Sequence, residues 1–267
     1  MIISGKEIAE RIYVELEEAR RPFGAPRLGI VVGAVDPVIE SFVRIKTRAA
    51  ARLGVDMVRV DLPEGAATTS DVVAAVEKLS PEVDGIIVQL PLPKEIDVDT
   101  VLAAIPPERD VDGINPTIRE ADRLVHAPVA AAVEEILKRY SVDPAGKHAV
   151  VVGAGRLVGA PVAALLRSRG ASVTVITLEE GSLDTLNDAD IVVLGAGNPG
   201  FVKPGMLKEG VVLIDAGTSE AGGKIQGDAD PLCAEKASVS TPVPGGVGPI
   251  AVAMIFKNLF RLVQSVK

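Results

Sequence analysis

Val150-Val151-Val152-Gly153-Ala154-Gly155-Arg156-Leu157-Val158-Gly159-Ala160-Pro161 reads as a strand, a glycine turn and the opening of a helix. Consecutive valines suit a strand covered on both faces. Gly153 and Gly155 let the backbone turn tightly and approach a pyrophosphate. The helix that follows offers free N–H groups and the positive end of its dipole. Gly159 stands one residue later than in the commonest G-x-G-x-x-G spacing, and a glycine-rich strand-to-helix turn also occurs without a ligand. Position favours a nucleotide here, because the motif opens a strand–helix series. That series continues through apolar runs at 172–177, 191–194 and 211–215, all rich in Val and Ile.

The same alternation extends toward the N-terminus. Ser4 and Glu7 have capping-box spacing, and Ile8, Ile12, Leu16 and Ala19 then share one helix face. A buried strand is expected at 28–32, a helix at 37–53, a strand at 57–60 and a helix opened by Ser70. The strand at 85–89 stops at Pro91 and Pro93. These three strand-then-helix units precede a helix at 129–140, and a last helix at 250–266 belongs to neither series by pattern. The fold class expected is α/β with two parallel-sheet domains.

Composition narrows the function classes. The chain has 267 residues, 48% hydrophobic and 24% charged, as in an ordinary globular protein. Its formal net charge of −8 argues against a nucleic-acid partner. One cysteine, Cys233, makes no internal disulfide, and His126 and His148 stand too far apart to form a ligand pair, so no metal is expected. The N-terminus has no signal-peptide architecture. The uncharged run 237–256 has the length of a membrane span but holds three prolines and three glycines, and reads as a loop entering a helix. No membrane and a cytoplasmic location are the expectations.

Candidate polar residues gather at strand and helix ends. After the second strand of the C-terminal series come Glu179 and Glu180, which suit a ribose 2′-OH or simply a solvated turn. Arg156 suits a 2′-phosphate instead. NADP and NAD both remain open on these residues. Phe42 and Lys46 are four apart and share a helix face. Gln89 ends a strand, the edge where ligands collect in open α/β sheets, and Asp112 lies in the Asp110-Val111-Asp112-Gly113 loop. Singly, each reads as well as a solvated lysine, a strand-end cap and a turn residue.

Taken with Thr241-Pro242-Val243-Pro244-Gly245-Gly246-Val247-Gly248-Pro249, Gln89-Leu90-Pro91-Leu92-Pro93 and D-V-D-G, these segments resemble the bifunctional methylenetetrahydrofolate dehydrogenase/methenyltetrahydrofolate cyclohydrolase family. The likeness runs in order from Ser4 to the last helix. Asn198-Pro199-Gly200-Phe201 and Ile214-Asp215-Ala216-Gly217 extend it. The resemblance implies a folate-binding catalytic domain over 1–118 plus 250–267, a Rossmann-like NADP-binding domain over 119–249, and a cleft between them. It implies tetrahydrofolate derivatives as substrates, NADP as cofactor, a place in one-carbon metabolism and purine biosynthesis, and a homodimer. Lys46 resembles the family's catalytic lysine, Gln89 the glutamine bonded to it, and Asp112 the aspartate that holds the pterin. Phe42, Pro244, Gly245 and Gly246 fall at substrate-binding positions. Gly153, Ala154, Gly155 and Arg156 match the cofactor loop, and Thr218 falls where an isoleucine usually lies near the nicotinamide.

The chain also departs from the family pattern. Phe42 replaces the tyrosine of Y-V-x-x-K, Gly155 a serine of the cofactor loop and Ala251 a threonine. The family's P-C-T-P before the linking helix is not visible, and the segment after D-V-D-G reads Ile114-Asn115-Pro116-Thr117. A dehydrogenase for another pterin, such as methylenetetrahydromethanopterin, and a non-catalytic nucleotide-binding sensor are the alternatives.

Overall fold

The computed structural model describes residues 1–19, 24–33, 37–63, 67–221 and 224–265. Contacts divide the chain into two units. One comprises Ile12–His126 with Val252–Lys267, the other Met1–Arg11 with Ala127–Ala251. The first eleven residues thus group with the C-terminal series, where the sequence reading placed them in the N-terminal domain.

In the first of these units, β1 (Arg27–Val32), β2 (Asp56–Asp61) and β3 (Gly85–Gln89) form a parallel sheet in the order β2-β1-β3. α2 (Pro37–Leu53) connects β1 to β2, and α3 (Thr69–Leu79) lies between β2 and β3. The connection from β1 goes to one side and the next strand is laid down on the other. The C-terminal ends of β1 and β3 therefore flank the point where strand order reverses, the usual ligand crevice of an open parallel sheet. Gln89 sits there, in register with Val32. β1 and β3 are buried along nearly their whole length, while β2, an edge strand, is half exposed.

α3 is capped by Thr68, not Ser70. The Thr68 hydroxyl accepts from the Asp71 N–H and the Asp71 carboxylate accepts from the Thr68 N–H, a reciprocal pair that Ser70, already inside the helix, cannot make. α4 (Val98–Ala103) follows β3 and is capped by Asp97.

The other unit holds the start of α1 (Gly5–Ala19), up to Arg11, where Ser4 Oγ accepts from the Glu7 N–H at 3.3 Å. Ile8, Ile12 and Leu16 are buried along one face, but Ala19, expected on that face, is exposed at the end of the helix. α5 (Pro128–Arg139) leads to β4 (His148–Val152), α6 (Gly159–Ser168), β5 (Ser172–Ile176), β6 (Ile191–Leu194) and β7 (Val212–Asp215). After an antiparallel pair, β8 (Ser219–Ala221) and β9 (Lys224–Gln226), comes β10 (Val239–Ser240). The main sheet is parallel, in the order β10-β7-β6-β4-β5. β4, β6 and β7 are covered on both faces as their valines suggest; β5 is partly exposed because it closes the sheet edge.

α7 (Val247–Ser265) starts within the proline–glycine string, three residues before the expected Ile250, and its expected end at Val266 lies outside the described residues. Pro249 falls in the first helical turn, where its missing N–H costs no hydrogen bond. The helix is long and apolar enough to cross a membrane, yet Phe256, Leu259 and Leu262 are fully buried in the protein core. Leu259 lies against Gly85 of β3, where an added Cβ would come within 2.7 Å of its Cδ1.

Candidate active site

Lys46, Gln89, Asp112 and Phe42 come together at the carboxyl edge of the β1–β3 pair. Apolar spacing seats α2 with Ile39, Val43, Ala50 and Leu53 inward, which leaves Phe42 and Lys46 on an adjoining face. Lys46 Nζ donates to Gln89 Oε1 at 2.8 Å. Gln89 cannot turn over at no cost, because its Nε2 donates to the Leu90 carbonyl at 2.7 Å. Its oxygen is therefore committed to the lysine. The Phe42 ring centroid lies 6.0 Å from Lys46 Nζ, and the residue is 43% exposed.

Electrostatics poise both ionisable groups. Burial pushes the Lys46 ammonium down from its ordinary value, against the opposing pull of Asp112. Burial pushes the Asp112 carboxyl up to about 7; the Lys46 charge opposes that rise and the Asp110 charge adds to it. Burial thus disfavours the charged form of each group, and the charge of the other favours it.

The turn that carries Asp112 is held by residues to which the sequence assigned no role. Asn258 of α7 donates through Nδ2 to the carbonyls of Val111 and His126, each at 2.8 Å. Buried Asp110 accepts the Asn115 N–H at 2.8 Å, and Asn115 Nδ2 donates to the Ile105 carbonyl at 2.8 Å. The Arg123 guanidinium donates to the Gly113 carbonyl. Asn258 is a polar residue on the apolar side of its helix, which was the available signal; its partners lie more than 130 positions away.

The glycine motif lies in the other unit and forms the turn expected of it. Gly153 has φ +103°, a conformation costly for any residue with a Cβ. β4 pairs with β5 on one side and β6 on the other, so this turn too stands at a reversal of strand order. Gly159 is pressed against the turn, where an added Cβ would meet the Gly153 carbonyl oxygen at 1.8 Å. Gly159→Ala should therefore destabilise the protein by about 1–3 kcal/mol and displace the turn, read as a lower thermal midpoint together with lost cofactor affinity. A thermal midpoint and affinity equal to the parent's would show that the contact relaxes freely.

Beside Gly155 the space is open for 4 Å. The N–H groups of Ala154 and Gly155 make no hydrogen bond among the described residues, and Val158 provides no side-chain cap for α6. Exposed donors over an uncapped helix start fit the phosphates of a dinucleotide. Arg156 follows in the turn, and Thr218 is exposed in the loop after β7. At the end of β5, Thr177 Oγ1 accepts the N–H groups of Glu179 and Glu180, so both acidic residues sit in an exposed turn.

Pro244, Gly245 and Gly246 belong by packing to this unit and not to the one that holds Lys46. Gly245 has φ +100°, its carbonyl accepts the Gly5 N–H at 3.0 Å, and Gly5 leaves no room for a Cβ beside the Gly246 carbonyl. Among the described residues no cluster of His, Cys, Asp or Glu is arranged to hold a metal.

Comparison with known proteins shows the family and the fold. Residues 3–112 match the family model described as the tetrahydrofolate dehydrogenase/cyclohydrolase catalytic domain, and residues 127–267 match its NAD(P)-binding domain. Bifunctional protein FolD of Methanosphaerula palustris is 39% identical over 271 residues, which cover 98% of this chain and 96% of the relative. The crystal structure of the bifunctional FolD enzyme from Campylobacter jejuni is similar with a TM-score of 0.94 and 31% identity, covering 100% of this chain and 99% of that one. The Trypanosoma brucei dehydrogenase-cyclohydrolase, solved with NADP and an inhibitor, has a TM-score of 0.92 and 34% identity over 100% of this chain and 98% of its own. With a shared fold, matched domains and near-complete coverage, the chain belongs to the tetrahydrofolate dehydrogenase/cyclohydrolase family.

Proposed function

We propose that this protein oxidises 5,10-methylenetetrahydrofolate to 5,10-methenyltetrahydrofolate with NADP, then hydrolyses that product to 10-formyltetrahydrofolate, with Lys46, Gln89 and Asp112 as its catalytic set. The observation that carries the reading is the Lys46–Gln89 hydrogen bond of 2.8 Å with Asp112 coupled to the same amine. NADP, when bound, supplies the hydride acceptor. For the oxidation the protein needs no strong acid or base, since the folate nitrogens stabilise the cation that forms; its task is orientation.

Hydrolysis adds water to the methenyl carbon, and that water must lose a proton; the N5–carbon bond then breaks as N5 takes up a proton, which leaves the formyl group on N10. A lysine at its free pKa of about 10.4 is too protonated to take it. Burial lowers Lys46 toward the neutral amine, and the substrate's positive charge acts in the same direction. Gln89 Oε1 holds one amine N–H in either protonation state, which leaves the nitrogen lone pair free to accept the proton from water. Asp112 is the anchor for the pterin's amino and ring N–H donors. Pro244, Gly245 and Gly246 join it in substrate binding, and Gly153, Ala154, Gly155, Arg156 and Thr218 in cofactor binding, as the family resemblance implies. The protein acts as a cytoplasmic homodimer, without nucleic-acid or membrane partners; its net charge of −8 supports the exclusion of nucleic acid.

One assay tests the activity. Protein is mixed with methylenetetrahydrofolate and either NADP or NAD, and the absorbance of reduced cofactor and of methenyl product is followed. NADP-dependent reduction with transient methenyl product is expected; no turnover with either cofactor overturns the proposal. The same assay tests Phe42, which stacks on substrate but offers Lys46 no hydroxyl. Phe42→Tyr should raise hydrolysis several-fold to tenfold and leave the oxidation unchanged, because a neutral hydrogen bond contributes about 0.5–1.5 kcal/mol net. An unchanged hydrolysis rate would show a site already built around phenylalanine.

A further inference from the structure

Two buried carboxylates stand behind the cofactor-side loops, and among the described residues no cationic side chain is hydrogen-bonded to them. Asp228 is 0% exposed and lies just after β9. Its Oδ2 accepts the N–H groups of Ala196 at 2.7 Å and Gly197 at 3.1 Å, and its Oδ1 that of Asn198 at 2.8 Å. Asp215, which ends β7, repeats the pattern one layer back. Its Oδ1 accepts from Gly217 at 2.9 Å and from Asp228 at 3.2 Å, and its Oδ2 accepts from Ala229 at 2.8 Å. Thr241 Oγ1 accepts the Asp215 N–H at 2.7 Å. Three segments at the carboxyl edge of one sheet are thus tied together by main-chain donors converging on two acids.

The segment that Asp228 holds is the wall of the glycine turn. A Cβ on Gly153 would stand 2.5 Å from the Gly195 carbonyl oxygen and 3.2 Å from the Ala196 nitrogen. In a trans peptide the carbonyl points opposite the N–H. With the Ala196 N–H turned to Asp228, the Gly195 carbonyl is turned to Gly153, which agrees with that close approach. Glycines leave room for the acids: a Cβ on Gly217 would meet the Asp228 carboxyl carbon at 2.3 Å, and one on Gly227 would meet Asp215 Oδ2 at 2.2 Å. The arrangement carries an electrostatic cost, since burial, with the Asp228 charge adding to it, pushes the Asp215 carboxyl up to about 6. Apolar packing would fasten these loops without that cost. What a carboxylate adds is a fixed direction for each peptide unit it binds.

We propose that Asp228, seated on Asp215, is a positioning residue for the nucleotide cofactor: it fixes the peptide units 195–198 that wall the glycine turn and so sets NADP affinity without touching NADP. This rests on the reading of that turn as the cofactor site. The test is Asp228→Asn, which keeps the shape and turns one acceptor into a donor facing a main-chain N–H. The expected result is a KM and Kd for NADP raised about tenfold to a hundredfold, the range for losing a hydrogen bond to a charged group. Hydrolysis of methenyltetrahydrofolate, assayed without NADP, should stay within about twofold, as should the KM for methylenetetrahydrofolate. A purely structural role would lower both activities together and leave the cofactor KM unmoved, and that outcome overturns the proposal.

Amide hydrogen exchange on the native protein supplies a second measurement should the variant not fold. The N–H groups of residues 196–198 should be protected equally with and without NADP. Protection that appears only with NADP would mean that the cofactor, not Asp228, orders the segment. Failure of the native protein to bind NADP at all would instead overturn the reading of the glycine turn.

Discussion

Replacing Lys46 by methionine should cut methenyl hydrolysis by about 10²–10⁴-fold, the usual contribution of a positioned acid–base group. The hydride step should persist within a few-fold. The asymmetry follows from the chemistry: oxidation of the one-carbon bridge moves no proton, whereas addition of water does. It also follows from the geometry. Methionine fills the volume of the lysine stem and releases Gln89 Oε1, which Lys46 now holds at 2.8 Å. The freed amide remains tied to the Leu90 carbonyl at 2.7 Å, so the floor of the site should keep its shape. Stopped-flow decay of the methenyl chromophore, set beside the rate of NADP reduction, reads the two steps separately. Equal loss of both in a folded protein would sink the division of roles.

Asp112→Asn should weaken folate binding by about 1.5–3 kcal/mol, or roughly tenfold to 150-fold in Kd, because a carboxylate facing two donors becomes an amide that turns one donor toward another. The native protein should also carry a pH signature that the variant lacks. With its carboxyl raised to about 7, Asp112 is mostly protonated at pH 6 and mostly ionised at pH 8. Only the ionised form accepts both pterin donors, so affinity for tetrahydrofolate should rise by about tenfold over that interval. In the absence of ligand the sign for stability is opposite. A carboxyl raised on folding contributes stability that is fully present below its unfolded value and lost as pH rises through its folded value, here about 7. Ligand binding and thermal melts across pH 5.5–8.5 check both, and a flat binding profile would place the pterin elsewhere.

Much of the fold was legible as local pattern. Valine runs mark β4 and β6, glycine spacing marks the turn after β4, and apolar periodicity places α2 with Phe42 and Lys46 on one face. These features are set by neighbours within about four residues, where the periods of strand and helix operate directly. The α/β class and the order of the motifs follow from that information alone. Helix starts were less secure, because Thr68 and Ser70 both have the chemistry of a cap. Only the backbone geometry at Thr68, with Asp71 returning its hydrogen bond, separates them.

Tertiary structure alone decided what lies beside what. Sheet order puts Gln89 next to the end of β1 and the glycine turn next to β6, and no local pattern encodes those neighbours. The supports of the site are equally long-range. Asn258 reaches Val111 across 147 positions, and Asp228 holds Ala196 across 32. In the sequence neither belongs to a recognisable motif, because a side chain that binds main-chain groups needs only its position in space, and any sequence can supply the N–H or C=O it meets. The same cause governs the two poised ionisable groups. Lys46 and Asp112 are ordinary by residue type, and their pKa values depart from the ordinary because folding takes both partly out of water, an effect that the charge of each opposes in the other.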